Sequence, residues 1–302
     1  MPEICGDVQL GTGERRAYLS LGVEEIRRSL ADVRPSEVFT PSLDSAEVRH
    51  NIAEGASPLR IYTCALADEI GRMEAAREPG TILDLGCGSG AQARFFDPAP
   101  GTAYVGVDIL KSRDWTAPQK EGPGVVAKTF VEASAEHLPL HPDSLSFTYS
   151  SHCLEHVQDV KAAVRNLLAT TKPGALGLHI APGVWSLPLY TLHGYRRFSP
   201  ASLADLFEEA GFEVVKVWSL GGLATFFLHA FWITWLETGL LYDWLPVPGV
   251  PRVLRRGLHW YGRHMRTGPV LRVYSFLLAR ALELDRLIPG APVGVGVLVR
   301  RP

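Results

Sequence analysis

Apolar positions follow two rhythms along this chain. Between residues 81 and 220, short apolar runs alternate with segments of helical period. TILDLG (81–86), AYVGVD (103–108), VAKTFVEA (126–133), SLSFTYSS (144–151), ALGLHIAP (175–182) and FEVVKVWSL (212–220) predict strands. Each is a short run rich in apolar residues, of the length and composition a strand requires. Two amphipathic segments lie among them. VQDVKAAVRNLLATT (157–171) is expected to stop at Lys172-Pro173-Gly174, and SPASLADLFEEAG (199–211) has a Ser-Pro start and a Gly stop. Such alternation predicts a parallel sheet covered on both faces.

The flanks differ. Residues 1–80 predict an N-terminal helical cap, with GVEEIRRSLADV (22–33) and SPLRIYTCALADEIGRMEAAR (57–77) as its clearest helices. In the second, Ser57-Pro58 forms an N-cap and N1 pair, and Pro79-Gly80 closes the element. Residues 221–290 break the alternation with apolar, Trp-rich helices, before VGVGVLVRR (293–301) reads as a last strand. Residues 81–220 are therefore expected to form one domain completed by 291–302, with 221–290 inserted before the closing strand. Its most apolar part, Leu223–Leu236, is shorter than the ~20 residues a bilayer span needs. A lid helix or an interfacial helix is expected there.

Within the insertion, PRVLRRGLHWYGRHMR (251–266) is one-sided at 100° per residue. Arg252, Arg255, Arg256, His259, Arg263 and Arg266 share a sector of about 100°, opposite Leu254, Leu258, Tyr261 and Met265. No acidic residue occurs between Asp243 and Glu283. A lid helix with a solvated face is the plain expectation. A face without acids also suits an anionic partner, either an acidic membrane surface or phosphates on a substrate.

Composition narrows the class. The 302 residues are 46% hydrophobic and 21% charged, as in an ordinary globular protein. The net charge of −2 hides a local imbalance, since residues 221–302 hold ten Arg, no Lys and four acids. A basic end so confined argues against general nucleic-acid binding. Cys5, Cys64, Cys87 and Cys153 show no metal spacing, so no metal is expected and reduced thiols are. With a polar N-terminus, this predicts a cytoplasmic protein, at the cytoplasmic face of a membrane if the arginine segment meets lipid.

ILDLGCGSGAQARFF (82–96) carries the chemistry. A buried strand is expected to end in Asp84, pass through Gly86, Gly88 and Gly90, and enter a helix. Such glycines let the backbone approach a ligand at a helix N-terminus. Asp108, at the end of the next strand, is placed to accept both hydroxyls of a ribose. The glycine spacing also satisfies a dinucleotide fingerprint, leaving an NAD(P) oxidoreductase open. Asp84 favours a ligand with a cationic amino group.

The chain resembles the class I S-adenosylmethionine-dependent methyltransferases, in particular the type 11 subgroup. DLGCGSG, the strand ending in Asp108, SAEHLPLHPDSLSFTYSSHCLEHV, and HGYRRFSP with EEAGFEVV carry the resemblance. It implies a Rossmann-like, doubly wound α/β sheet of seven strands, mostly parallel with the last antiparallel. Asp84, Gly86, Gly88 and Gly90 would hold the methionine end of the cofactor, Asp108 its ribose, and Ser134, Ala135 and Glu136 its adenine. Ser134 stands where the family often has Asp. His156, and after it His152, would serve as base for an acceptor hydroxyl. The plain alternative makes His156 a helix cap. Tyr195, Arg196 and Arg197 would overlie the substrate pocket, or form only a surface turn. The YRRFSP loop and the ELDRLIPG…GVLVRRP ending resemble enzymes of glycan and lipid-linked saccharide pathways, implying O-methylation of an amphiphilic acceptor. A soluble natural-product methyltransferase is the alternative, and a degenerate, membrane-recruited scaffold is the non-enzymatic one. The anionic surface would be met through Arg252, Arg255, Arg256, Arg263 and Arg266.

Overall fold

The computed structural model describes residues 23, 24, 27, 31, 34–73, 79–96, 102–116, 127–189, 194, 196–237 and 267–302. Its strands are β1 (Glu37–Phe39), β2 (Thr81–Leu85), β3 (Ala103–Asp108), β4 (Ala127–Glu132), β5 (Leu145–Ser151), β6 (Thr171–Pro182), β7 (Glu213–Gly222) and β8 (Pro289–Arg300). They form one sheet in the order β1-β7-β8-β6-β5-β2-β3-β4. All neighbours are parallel except β8, which runs antiparallel between β6 and β7.

The sheet is doubly wound. Helices α1 (Ala46–Ala53), α2 (Pro58–Gly71) and α6 (Gly268–Asp285) cover one face; α3 (Val160–Thr170) and α4 (Pro200–Ala210) cover the other. Their starts follow the sequence. Ser57 accepts from Arg60 N–H at 3.3 Å with Pro58 behind it, Asp159 accepts from Ala162 N–H at 2.9 Å, and Ser199 accepts from Ser202 N–H at 3.0 Å.

The closing strand sorts its side chains by parity. Val295, Val297 and Val299 enter the core beneath α3 and α4. Gly294 and Gly296 face α2, where a Cβ would overlap Leu59 and Leu66 respectively. The glycines therefore let α2 lie directly on the strand.

Three features depart from the sequence expectation. The sheet has eight strands rather than seven, because β1 from the N-terminal region pairs with β7 through Glu37↔Trp218 to Phe39↔Leu220. Three residues are too few for alternation to register. Helix α3 ends at Thr170, and Lys172-Pro173-Gly174 lies within β6, where the pairing with β5 shifts register. Proline removes a ladder donor and Gly174 has φ of 80°, so the strand absorbs the interruption as an irregularity. Beyond Gly90 the chain forms a 3-10 helix, Ala91–Phe96. Most of GVEEIRRSLADV, Tyr195 and the arginine segment 251–266 lie outside the described residues.

The insertion begins with α5 (Leu223–Leu228) and continues as a π-helix, His229–Glu237. Its start is fixed by Asp285, buried at the end of α6. That carboxylate accepts from the N–H of Ala224 at 2.8 Å, the N–H of Thr225, the Thr225 hydroxyl, and the Tyr62 hydroxyl at 2.9 Å. It thus joins α2, α5 and α6. Replacing Asp285 by Ala leaves buried donors unmatched and is expected to cost about 3 kcal/mol. Hydrogen exchange should show lost protection first in 223–228. Urea titration within about 0.5 kcal/mol of wild type would show that this carboxylate does not hold the insertion.

Candidate active site

Gly86, Gly88 and Gly90 all have positive φ, at 74°, 51° and 78°. At Gly86 a Cβ would overlap the Cys153 side chain, whereas at Gly88 it would point into open space. The first glycine therefore serves packing, and the second leaves room beside the backbone. Gly86 N–H donates to Val107 C=O at 2.7 Å, and Gly88 N–H to Asp108 Oδ2 at 2.8 Å. Asp108 Oδ1 accepts from Leu110 N–H at 3.0 Å. A carboxylate with two N–H donors still has lone pairs for hydroxyl donors. Ile109 and Leu110, directly beyond it, are exposed.

Asp84 lies beneath this loop rather than on it. It is 1% exposed and accepts a hydrogen bond from the Tyr104 hydroxyl. Burial pushes its carboxyl up to about 7, the nearby Asp108 adds to the rise, and the Tyr104 hydrogen bond opposes it. Trp115, which the sequence did not single out, donates from Nε1 to Gly88 C=O at 2.8 Å and stacks on Phe130 at 5.3 Å.

A cleft of about 430 Å³ opens beside the loop. Gly86, Gly88, Thr63, His152, Glu155 and Arg197 are among its lining residues. The two histidines separate here. His152 lines the cleft, whereas His156 does not. His152 has φ of 53°, a left-handed conformation that a non-glycine residue holds only when its surroundings enforce it. Its N–H donates to Ile180 C=O at 2.9 Å, and its Nε2 lies 3.1 Å from the Thr63 hydroxyl.

Glu155 is the residue that sequence reasoning missed. It is 0% exposed, and neither carboxylate oxygen has a hydrogen-bond partner among the described residues. Oε1 lies 3.6 Å from His152 Nδ1 and 3.8 Å from His156 Nε2. Burial alone would push this carboxyl up; the two imidazoles outweigh it and hold it below the ordinary carboxylate range. The only signal in the sequence was an acid flanked by two histidines, and nothing there indicated its burial.

The YRRFSP loop divides similarly. Arg197 is buried and lines the cleft, and its Nη1 donates to Arg196 C=O at 2.9 Å. Arg196 instead clamps the segment after His152, donating to Val157 C=O at 2.6 Å and Gln158 C=O at 3.0 Å. Ser134, Ala135 and Glu136 follow β4, outside the cleft lining. Ser134 Oγ accepts from Glu136 N–H at 3.2 Å, and Glu136 Oε1 accepts from Asp159 N–H at 2.8 Å. The Glu136 carboxylate is thus committed to the start of α3. Among the described residues, no cluster of three or more His, Cys, Asp or Glu is placed to hold a metal ion.

Comparison with known proteins shows what the chain is similar to. An uncharacterized methyltransferase of Mycolicibacterium paratuberculosis is 33% identical over 145 residues, 45% of this chain and 54% of that protein. An O-methyltransferase of Aspergillus sclerotiorum is 26% identical over 172 residues, 52% of this chain and 64% of that protein. The chain spans about half the length of the first of these curated relatives. Among solved structures, the [4+2]-cyclase SpnF superposes with a TM-score of 0.50 at 15% identity, covering 95% of this chain and 96% of that one. That likeness shows the fold alone, and the fold accommodates more than one reaction. Residues 59–217 match the methyltransferase domain family, from the cleft side of α2 through β7. The chain belongs to the class I S-adenosylmethionine-dependent methyltransferases.

Proposed function

We propose that this protein transfers a methyl group from S-adenosylmethionine to an acceptor hydroxyl, with His152 as the base. The observation that carries this reading is the His152–Glu155 pair lining the glycine-loop cleft. The cofactor supplies an electrophilic methyl group on a sulfonium, and its departure leaves a neutral thioether. The residues present fit it. Gly88 leaves space beside the backbone, Asp108 retains acceptor capacity for a ribose, and exposed Ile109 and Leu110 offer an apolar surface for an adenine. Ser134, Ala135 and Glu136 would flank that base. Asp84 lies beneath the loop, where a bound ammonium would favour its ionised form.

The chain's own contribution is alignment and proton removal. The Ile180 carbonyl fixes the His152 backbone and Glu155 faces Nδ1, so the hydroxyl proton would be taken at Nε2, where the acceptor hydroxyl replaces that of Thr63, and Glu155 would stabilise the imidazolium formed. His156, outside the cleft lining, is placed to position Glu155 rather than to meet the acceptor. The acceptor we favour is an amphiphilic glycan or lipid-linked saccharide, from the apolar insertion beside the cleft and the resemblance of the YRRFSP loop. The relative from Aspergillus sclerotiorum, named an O-methyltransferase, supports transfer to oxygen. The family match sets aside an NAD(P) oxidoreductase.

Calorimetry tests the cofactor. S-adenosylhomocysteine should bind, NADH should not, and Asp108→Ala should weaken binding by about tenfold or more through lost charged hydrogen bonds. Binding of NADH alone would overturn the reading.

Turnover tests the base. His152→Ala should lower kcat by about 10²–10⁴-fold with S-adenosylhomocysteine affinity nearly unchanged. Glu155→Gln, which removes the charge but keeps the shape, should lower kcat by about tenfold or more, and His156→Ala should do less than His152→Ala. A larger loss for His156→Ala would return the role of base to that residue.

Asp84 adds a pH dependence to stability. A carboxyl whose folded pKa is raised to about 7 from its ordinary 3.8 contributes stability that is fully present below about pH 4. That contribution is lost as the pH rises through about 7. Stability should therefore decline between these values, and Asp84→Asn should flatten the decline. Parallel pH profiles for the two proteins in urea titrations would refute the assignment.

A further inference from the structure

The tip of the glycine loop is a tight turn. Cys87 C=O accepts from Gly90 N–H at 2.8 Å, so Gly88 and Ser89 are its central residues. Gly88 has φ of 51°, whereas Ser89 is not in the left-handed region. A positive φ at the first central position alone is the pattern of a type II′ turn. Its close relative, type I′, differs by a flip of the central peptide and needs positive φ at both central residues. Glycine accepts that conformation and serine resists it. The orientation of the Gly88–Ser89 peptide thus decides which polar group the turn presents on each side.

Trp115 holds that peptide. Its Nε1–H donates to Gly88 C=O at 2.8 Å. Gly88 and Ser89 line the cleft, and Trp115 does not. The carbonyl is therefore drawn toward a side chain outside the cleft lining. In a trans peptide the N–H points opposite to the C=O, so Ser89 N–H is turned away from Trp115. The indole has little freedom of its own. It stacks on Phe130 with ring centres 5.3 Å apart and planes 10° from parallel. Phe130 lies so close to Gly90 and Gly106 that a Cβ on either would overlap its ring, and it meets Tyr104 edge-on at 6.0 Å. Tyr104 in turn donates to Asp84. An unbroken aromatic row therefore runs from the carboxylate beneath the loop to the carbonyl at its tip. Gly88 N–H is held as well, by Asp108 at 2.8 Å. Asp108 ends β3, and Trp115 follows it in the 3-10 helix Arg113–Thr116. One short segment thus fixes both polar groups of Gly88.

We propose that Trp115 is a positioning residue for the cofactor. By holding the Gly88 carbonyl away from the cleft, it keeps the Ser89 N–H on the cleft side as a donor to an oxygen of S-adenosylmethionine. A flipped peptide would present a carbonyl there, and two acceptors would face each other. Trp115 touches no reacting atom. Its role presupposes S-adenosylmethionine as the cofactor and is independent of the acceptor.

Calorimetry with S-adenosylhomocysteine on wild type and Trp115→Phe tests this. Phenylalanine can keep the stack on Phe130 but has no N–H to donate. Affinity should fall about three- to tenfold, the net worth of one hydrogen bond, with the ligand-free Tm within about 2 °C of wild type. A structural brace alone gives the reverse: a lower Tm and unchanged affinity in the folded protein. The change in tryptophan emission on ligand binding should also be smaller in Trp115→Phe, and an undiminished change would overturn the proposal. Trp115→Leu, which loses both donor and stack, is the second variant, and its affinity should fall at least as far. Both variants binding within about twofold of wild type would equally overturn the role of Trp115. Wild type that does not bind S-adenosylhomocysteine would instead overturn the cofactor reading itself, so the two failures are distinguishable.

Discussion

Much of this structure depends on how closely α2 approaches the sheet. Gly294 and Gly296 in β8 leave no side chains between the strand and the helix, so Leu59 and Leu66 sit where a Cβ would otherwise be. From that position consecutive turns of α2 serve different parts of the protein. Leu59 and Thr63 face the cleft, and Thr63 contacts His152 across 89 residues of sequence. Tyr62 points to Asp285 and so to the insertion. A shift of α2 by the width of a methyl group would disturb all of these contacts, because a close-packed interior transmits such displacements. The VGVGV pattern thus governs the site as well as the closing strand.

The second constraint is Glu155. Placing a carboxylate in the interior without hydrogen bonds is unfavourable, and its counterbalance here is the pair of imidazoles at 3.6 and 3.8 Å. Its surroundings leave little freedom to relax. Gly194 packs so closely on it that a Cβ there would overlap its side chain, and Arg196 fixes the following carbonyls. His152, in a left-handed conformation, completes the arrangement. A left-handed backbone at His152 beside the fully desolvated Glu155, both lining one cleft, is better explained by chemistry than by stability.

The sequence disclosed what depends on local pattern. The strands of the parallel sheet, the Ser-Pro starts of two helices and the glycine loop all announce themselves within a few residues. Strand β1 did not, because three residues joined to β7 gain their conformation from the pairing alone. The choice between His152 and His156 was also hidden. Both follow β5, and only the turn at His152 and the distant Thr63 bring one ring to the cleft. Glu155 was invisible for a similar reason, since the tertiary fold determines its burial. Arg196 and Arg197 are adjacent and chemically alike, yet one clamps the backbone and the other lines the cleft.

The insertion is held to the domain on one side and exposed on the other. Its inner residues, Phe226, Thr225 and the buried face of α6, are held by ordinary packing and by the Asp285 carboxylate. That anchoring ties the first turn of the insertion to α2 and α6 at once. It also constrains geometry. Leu59 touches the insertion on one side and the cleft on the other, so the orientation of the outer face and that of the cleft cannot vary independently. A displacement of the insertion would therefore reach the cleft through Leu59, just as a shift of α2 would, because both pack on that one side chain.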